Sequence, residues 1–92
     1  MKQVWKYCID PNNLTHIMPK GAKILCVDEQ MGNICIWVEV NPSHPHQEKR
    51  IFEVFGTGHP IIEDMGTSRE YIGSVKMDGG QFVFHVYEYT GI

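Results

Sequence analysis

The sequence predicts an all-β fold, a small antiparallel β-sandwich or partly open barrel of six to seven strands with at most one short helical turn. Two observations predict it. Apolar residues recur at every second position, the period of a strand with one face on a core, and no stretch sustains a helical period. Clusters of Pro, Gly, Asn and Asp interrupt this alternation roughly every 8–12 residues, the spacing of short strands in sandwiches and barrels. The 92 residues make one domain, residues 1–92. A chain of this size buries little more than about 60% of its unfolded surface, so the core is thin and self-association is a common remedy.

The first strand, KQVWKYCI, sets Val4, Lys6 and Cys8 on one side and Trp5, Tyr7 and Ile9 on the other. DPNN, at residues 10–13, is a turn, because proline fixes φ while Asp and Asn bond to nearby backbone. LTHIM follows as a short strand ended by PKG at residues 19–21. AKILCVDEQ is a strand that grows polar at its end, and MGN at residues 31–33 closes a hairpin into ICIWVEV. There Ile34, Ile36, Val38 and Val40 form an uninterrupted β-branched face, the best core candidate. NPSHPHQEK, residues 41–49, is a polar loop with two prolines. RIFEVF is the next strand and GTGHPIIEDMGTSRE a long connection, where Pro60 and the acids after it suit one helical turn within HPIIEDM. YIGSVKM and QFVFHVYEY form a final hairpin across DGG, whose Asp-Gly supplies the positive φ of a tight turn.

The last strand is apolar on both sides. Alternation predicts burial of Phe82, Phe84 and Val86, yet the opposite face carries Val83, His85, Tyr87 and Tyr89. A half-exposed strand is ordinarily polar there. Trp5 and Tyr7 share this character. Such strands are central in a core or form a subunit interface, and a homo-oligomer is expected.

Composition removes several function classes. With 8 Lys and Arg against 11 Asp and Glu, the net charge of −3 argues against non-specific binding of duplex nucleic acid, though a local basic pocket remains open. Cys8, Cys26 and Cys35 are odd in number and lack C-x-x-C spacing, so no disulfide framework or zinc knuckle is expected. Each sits in an apolar run, where a thiol acts as a small hydrophobe. No apolar run approaches the ~18 residues of a membrane span, and no signal segment opens the chain. A soluble protein of a reducing cytosol is expected.

The motif that invites a chemical reading is Phe55-Gly-Thr-Gly-His-Pro60, FGTGHP. Glycines let backbone N–H groups approach an anion, Thr57 offers a hydroxyl, His59 a donor, and Pro60 stiffens the exit. The dinucleotide and P-loop fingerprints do not fit, and a tight turn needing two permissive residues explains the glycines equally. His44-Pro-His46 supplies two imidazoles where a metal site needs three or four ligands, so no metal and no cofactor is expected. His85 reads as a core or interface histidine. His59 with Glu63 or Asp64 is the one acid–base pairing available, Ser68, Thr57 and the cysteines have no motif around them, and a non-enzymatic protein is expected. Trp5, Trp37, Tyr7, Tyr71, Tyr87 and Tyr89, with Arg50 and Arg69 beside loops, are the groups with which a small protein grips nucleotides.

MPKGAKIL, CIWVEVNP, EKRIFEVFGTGHPI, YIGSV and DGGQFVFHVYE run in that order over nearly the whole chain. Together they resemble a family of small proteins encoded by tailed bacteriophages, a domain of unknown function. The resemblance implies a phage protein at work in the host bacterial cytoplasm. Small β-rich oligomeric phage proteins include anti-defence sponges, which sequester cyclic nucleotide immune signals without degrading them. By that analogy the chain is expected to bind a nucleotide second messenger. Gly56, Thr57, Gly58 and His59 would take phosphate, Arg50 or Arg69 would supply charge, and Trp37 or Tyr71 would stack on a base. The alternative is a protein-interaction module that inhibits or redirects a host or phage protein.

Overall fold

The computed structural model describes residues 1–61 and 68–91. Seven strands occur among them: β1 (Gln3–Ile9), β2 (Thr15–Pro19), β3 (Lys23–Gln30), β4 (Asn33–Val40), β5 (Gln47–Gly56), β6 (Ser68–Met77) and β7 (Phe82–Gly91). All pairings are antiparallel. They build a three-stranded sheet, β1-β4-β3, and a four-stranded sheet, β2-β5-β7-β6, which pack as a sandwich and do not close into a barrel. The helical turn expected in HPIIEDM falls mostly on residues 62–65, outside the described residues. Asp78–Gly80 instead forms a 3₁₀ turn in the last hairpin.

The core follows the alternation of β4. Ile36, Val38 and Val40 are fully buried, and they meet Phe52, Val75 and Val86 of the other sheet, with Ile9, Met18 and Ala22 completing the cluster. The molecule measures 41 × 36 × 20 Å, the short dimension being that of two layers roughly 10 Å apart plus their side chains. On the last strand Val86 is buried and Phe84 half-buried as expected. Phe82, however, is exposed, because it pairs with Met77 at the mouth of the hairpin, beyond the sandwich.

Turns account for the chain reversals. Asn13 N–H donates to the Asp10 carbonyl, and the Asp10 carboxylate accepts from the Asn12 N–H. Gln30 pairs with Asn33, leaving Met31 and Gly32 as a two-residue loop with φ of 53° and 83°. Positive φ at both positions is the primed turn whose twist suits a hairpin. Strands run longer than the sequence predicts at two places. Gln47, Glu48 and Lys49 belong to β5 because they pair with Pro19, Met18 and Ile17, and Ser68, Arg69 and Glu70 belong to β6 because they pair with β7. Polar residues join a ladder there because the partner strand holds them.

The edge strands β3 and β6 both carry bulges, at Leu25 and at Ile72, and the two bulged stretches line one groove. Beside it, a Cβ on Gly73 would sit 2.7 Å from a methyl carbon of Val27 in β3. Glycine there lets the two sheets close. Arg50 and Glu88 lie on the core side of the four-stranded sheet: the guanidinium donates through Nε and Nη2 to both carboxylate oxygens of Glu88, and through Nη1 to the Ala22 carbonyl and to Glu48. The bond to Glu88 holds the Arg50 guanidinium above its ordinary pKa, against the pull of burial.

Candidate functional site on the outer face of the four-stranded sheet

Strand alternation sends a second set of side chains outward from the four-stranded sheet, and pairing sorts them into rows. Ile51, Tyr89 and Arg69 make one row, Glu53, Tyr87 and Tyr71 the next, and Phe55, His85 and Ser74 the third. Val83 and Lys76 continue the face to Thr57, whose N–H donates to the Val83 carbonyl.

These rows interlock. Tyr87 meets Phe55 edge-on at 5.7 Å and Tyr71 at 5.4 Å between ring centroids. Arg69 donates to the Glu53 carboxylate at 2.8 and 3.2 Å, and its guanidinium lies 5.8 Å from the Phe55 ring centre. At right angles to the strands runs a chain of hydroxyls through one imidazole: Tyr71 Oη to Ser74 Oγ at 2.6 Å, Ser74 Oγ to His85 Nδ1 at 2.7 Å, and His85 Nε2 to Thr57 Oγ1 at 2.8 Å. Thr57 Oγ1 donates to the Val83 carbonyl at 3.2 Å. That last bond gives the chain a direction. A hydroxyl has one proton, so Thr57 accepts from His85 Nε2–H; in that tautomer His85 accepts at Nδ1 from Ser74, and Ser74 accepts from Tyr71.

The glycine loop closes the row. Gly58 has φ of 85°, a conformation that favours glycine. Gly56 serves differently: a Cβ there would lie 2.7 Å from Nδ1 of His59, so its bare backbone is the floor on which the imidazole rests. The His59 N–H donates to the Gly56 carbonyl. With the Thr57 and His59 N–H groups thus engaged, the Gly58 N–H is the backbone donor left to the loop. The loop is a turn with one donor to offer and not a cradle of several. Phe55, Gly56, Thr57, Gly58, His59, Ile61, His85 and Tyr87 line an open cleft of about 290 Å³.

Six of the eight residues singled out from sequence therefore share one face: Gly56, Thr57, Gly58, His59, Arg69 and Tyr71. Arg50 does not, because the alternation that buries Phe52 turns Arg50 into the core, where Glu88 and Glu48 take its donors. Trp37 does not either, because it faces outward from the other sheet, opposite Lys6 and Cys26. Sequence reasoning did not select Ser74 or Lys76, and it named Phe55 and Tyr87 without assigning either to a ligand. Ser74 was accessible by counting back from the DGG hairpin, since pairing Met77 with Phe82 puts Ser74 opposite His85. Among the described residues no group of three metal-ligating side chains occurs; the His44 and His46 rings lie tilted to each other, 6.0 Å apart, without a third partner of that kind. Glu63 and Asp64 lie outside the described residues. No helix among the described residues is long and apolar enough to cross a membrane.

The fold and this face define a two-sheet β domain that presents a hydroxyl- and aromatic-rich surface. The chain belongs to a family known as a domain of unknown function (DUF7352), whose model matches residues 1–91. No curated protein and no solved structure matches it.

Proposed function

We propose that the chain is a phage-encoded anti-defence protein that binds and sequesters a cyclic nucleotide immune signal without degrading it, on the outer face of the four-stranded sheet and as a homo-oligomer. The observation that carries this reading is the continuity of that face. Tyr71, 58% exposed, offers a ring for a base, and the same side chain begins the hydrogen-bonded chain that ends at the glycine loop. Base–aromatic stacking contributes about 1–3 kcal/mol per base. Phosphate oxygens would meet the Gly58 N–H, His59 and the Lys76 ammonium. The cleft of one copy, about 290 Å³, is at the lower limit of the roughly 300–1,000 Å³ of small-molecule sites. Enclosure therefore calls for a second copy, in keeping with the apolar character of β7 on both faces. The phage origin and bacterial cytoplasmic setting rest on the resemblance of the sequence blocks.

Thermal denaturation of the purified protein against linear and cyclic mono-, di- and trinucleotides and ADP-ribose derivatives tests this. One cyclic nucleotide should stabilise by about 2.7 kcal/mol at a hundred times its dissociation constant. The shift should vanish in Tyr71→Ala and shrink in Lys76→Ala, and the ligand should be recovered intact after long incubation. A flat panel overturns the reading.

A second reading has its own observation. β1 is an edge strand with Val4 55% and Trp5 37% exposed, a surface on which a partner protein could add a strand. A single stoichiometric protein partner lost on Val4→Pro, with no nucleotide bound, would favour it.

A further inference from the structure

Cys8 and Cys35 stand directly opposite each other on β1 and β4, on the outer face of the three-stranded sheet. Their Sγ atoms are 3.3 Å apart. Opposed residues on antiparallel strands have Cα atoms about 4.5–5.5 Å apart, inside the window of about 4.4–6.8 Å that a disulfide spans, so the backbone needs no rearrangement to bridge them. The three cysteines were expected to act as small hydrophobes; Cys35 is buried, whereas Cys8 and Cys26 are exposed.

The two sulfurs are unequal. Cys8 is the one that a dissolved reagent reaches, while burial, with the hydrogen-bonding Cys8 thiol beside it, pushes the Cys35 thiol up to about 11. Lys6 shares the face, its ammonium donating to Gln30. Cys26 stands one row away, opposite Trp37. With no third ligand grouped beside the pair among the described residues, two thiols in contact point to redox chemistry and not to a metal.

We propose that Cys8 and Cys35 form a redox-active dithiol whose substrate is a low-molecular-weight disulfide of the glutathione class. Cys8 releases its proton to solvent and attacks one sulfur of oxidised glutathione. The glutathione S–S bond breaks, one glutathione thiolate leaves and takes up a proton, and a mixed disulfide remains on Cys8. Cys35 then gives up its proton and attacks the Cys8 sulfur, expelling the second glutathione, which is protonated in turn. The protein dithiol is oxidised by two electrons to a cross-strand disulfide, and one oxidised glutathione is reduced to two glutathione molecules. Exposure sets the order: the accessible thiol captures the reagent, and the buried one resolves it. The product fastens β1 to β4, its one neighbour in the sheet, across a sequence separation of 27 residues.

The test uses the full chain with Cys26→Ala, treated with oxidised glutathione and followed by intact mass and thiol alkylation. The expected product has lost two hydrogens, has no alkylatable thiol, and melts about 10 °C or more higher, a shift undone by dithiothreitol. Adding Cys35→Ala should stop the reaction with one glutathione on Cys8. Should that variant not fold, Cys8→Ala, at an exposed position, should leave Cys35 unmodified. A stable glutathione adduct on the protein with both cysteines, a disulfide between two chains, or two thiols untouched would each overturn the proposal.

Discussion

The inner and outer sides of the four-stranded sheet each carry an arginine paired through two nitrogens to a glutamate, and the pairs differ in what surrounds them. On the inner side Glu88 is 7% exposed as a residue, and the Arg50 guanidinium spends its remaining donors on Ala22 and Glu48. On the outer side Glu53 holds Arg69 near the Phe55 ring, at the margin of the aromatic rows. The same two residue types thus serve as a lock within the sandwich and as part of a presented surface. Surroundings decide which: the nearly buried Glu88 carboxylate, at the groove between the sheets, has less access to water when its partner is removed than the Glu53 carboxylate on the outer side.

The largest test of this contrast is to remove one partner of the inner pair. Arg50→Ala should cost about 3 kcal/mol or more, because it strands the Glu88 carboxylate in the core. Chemical denaturation with a constant m-value checks it, and a loss under about 1 kcal/mol would show that water reaches Glu88. Gly73→Val probes the same interior where β6 approaches β3. It should destabilise by about 1–3 kcal/mol, the ordinary penalty of overpacking, and the double variant with Val27→Ala should recover part of the loss. On the outer side Glu53→Ala should cost about 1 kcal/mol or less, while altering any ligand-induced shift in melting temperature. An equal loss at Glu53 and Arg50 would erase the distinction. The smallest effect lies away from both pairs. Met31→Asn should stabilise the β3–β4 hairpin by about 0.5–1 kcal/mol, since asparagine tolerates the φ of 53° that methionine adopts there. A neutral result in thermal melts would mean that the exposed methionine carries no backbone strain.

Much of this was legible one strand at a time. Ile34, Ile36, Val38 and Val40 were legible as core from alternation alone, with Ile34 half-buried against the cluster of the other three, because β4 lies in the middle of its sheet and a central strand has one unambiguous inward side. The apolar outer side of β7 was legible too, from His85, Tyr87 and Tyr89, and it became the middle of the candidate site. Arg50 was not legible in its inward place, for the opposite reason. It alternates with Phe52 and so belongs inside, but an arginine facing a core makes sense only once Glu88, 38 residues away, is known to face it. Trp37 falls on the other sheet, and an aromatic side chain by itself says nothing about which of two sheets will carry it. The hydrogen-bonded chain through His85 unites residues of two strands and the glycine loop, and no local pattern encodes that.

The extra residue at Ile72 has a consequence for how β6 can change length. The outward residues of this strand are Arg69, Tyr71, Ser74 and Lys76, so two regular halves meet with a slip of one residue between them. Removing Ile72 heals the slip and leaves both halves facing as they do now. Removing Val75 turns over the part of the strand on one side of the cut, taking either Ser74 or Lys76 from its outward place. The strand can thus lose a residue at this bulge without turning its surface inside out, and the bulge lies at the groove between the two sheets.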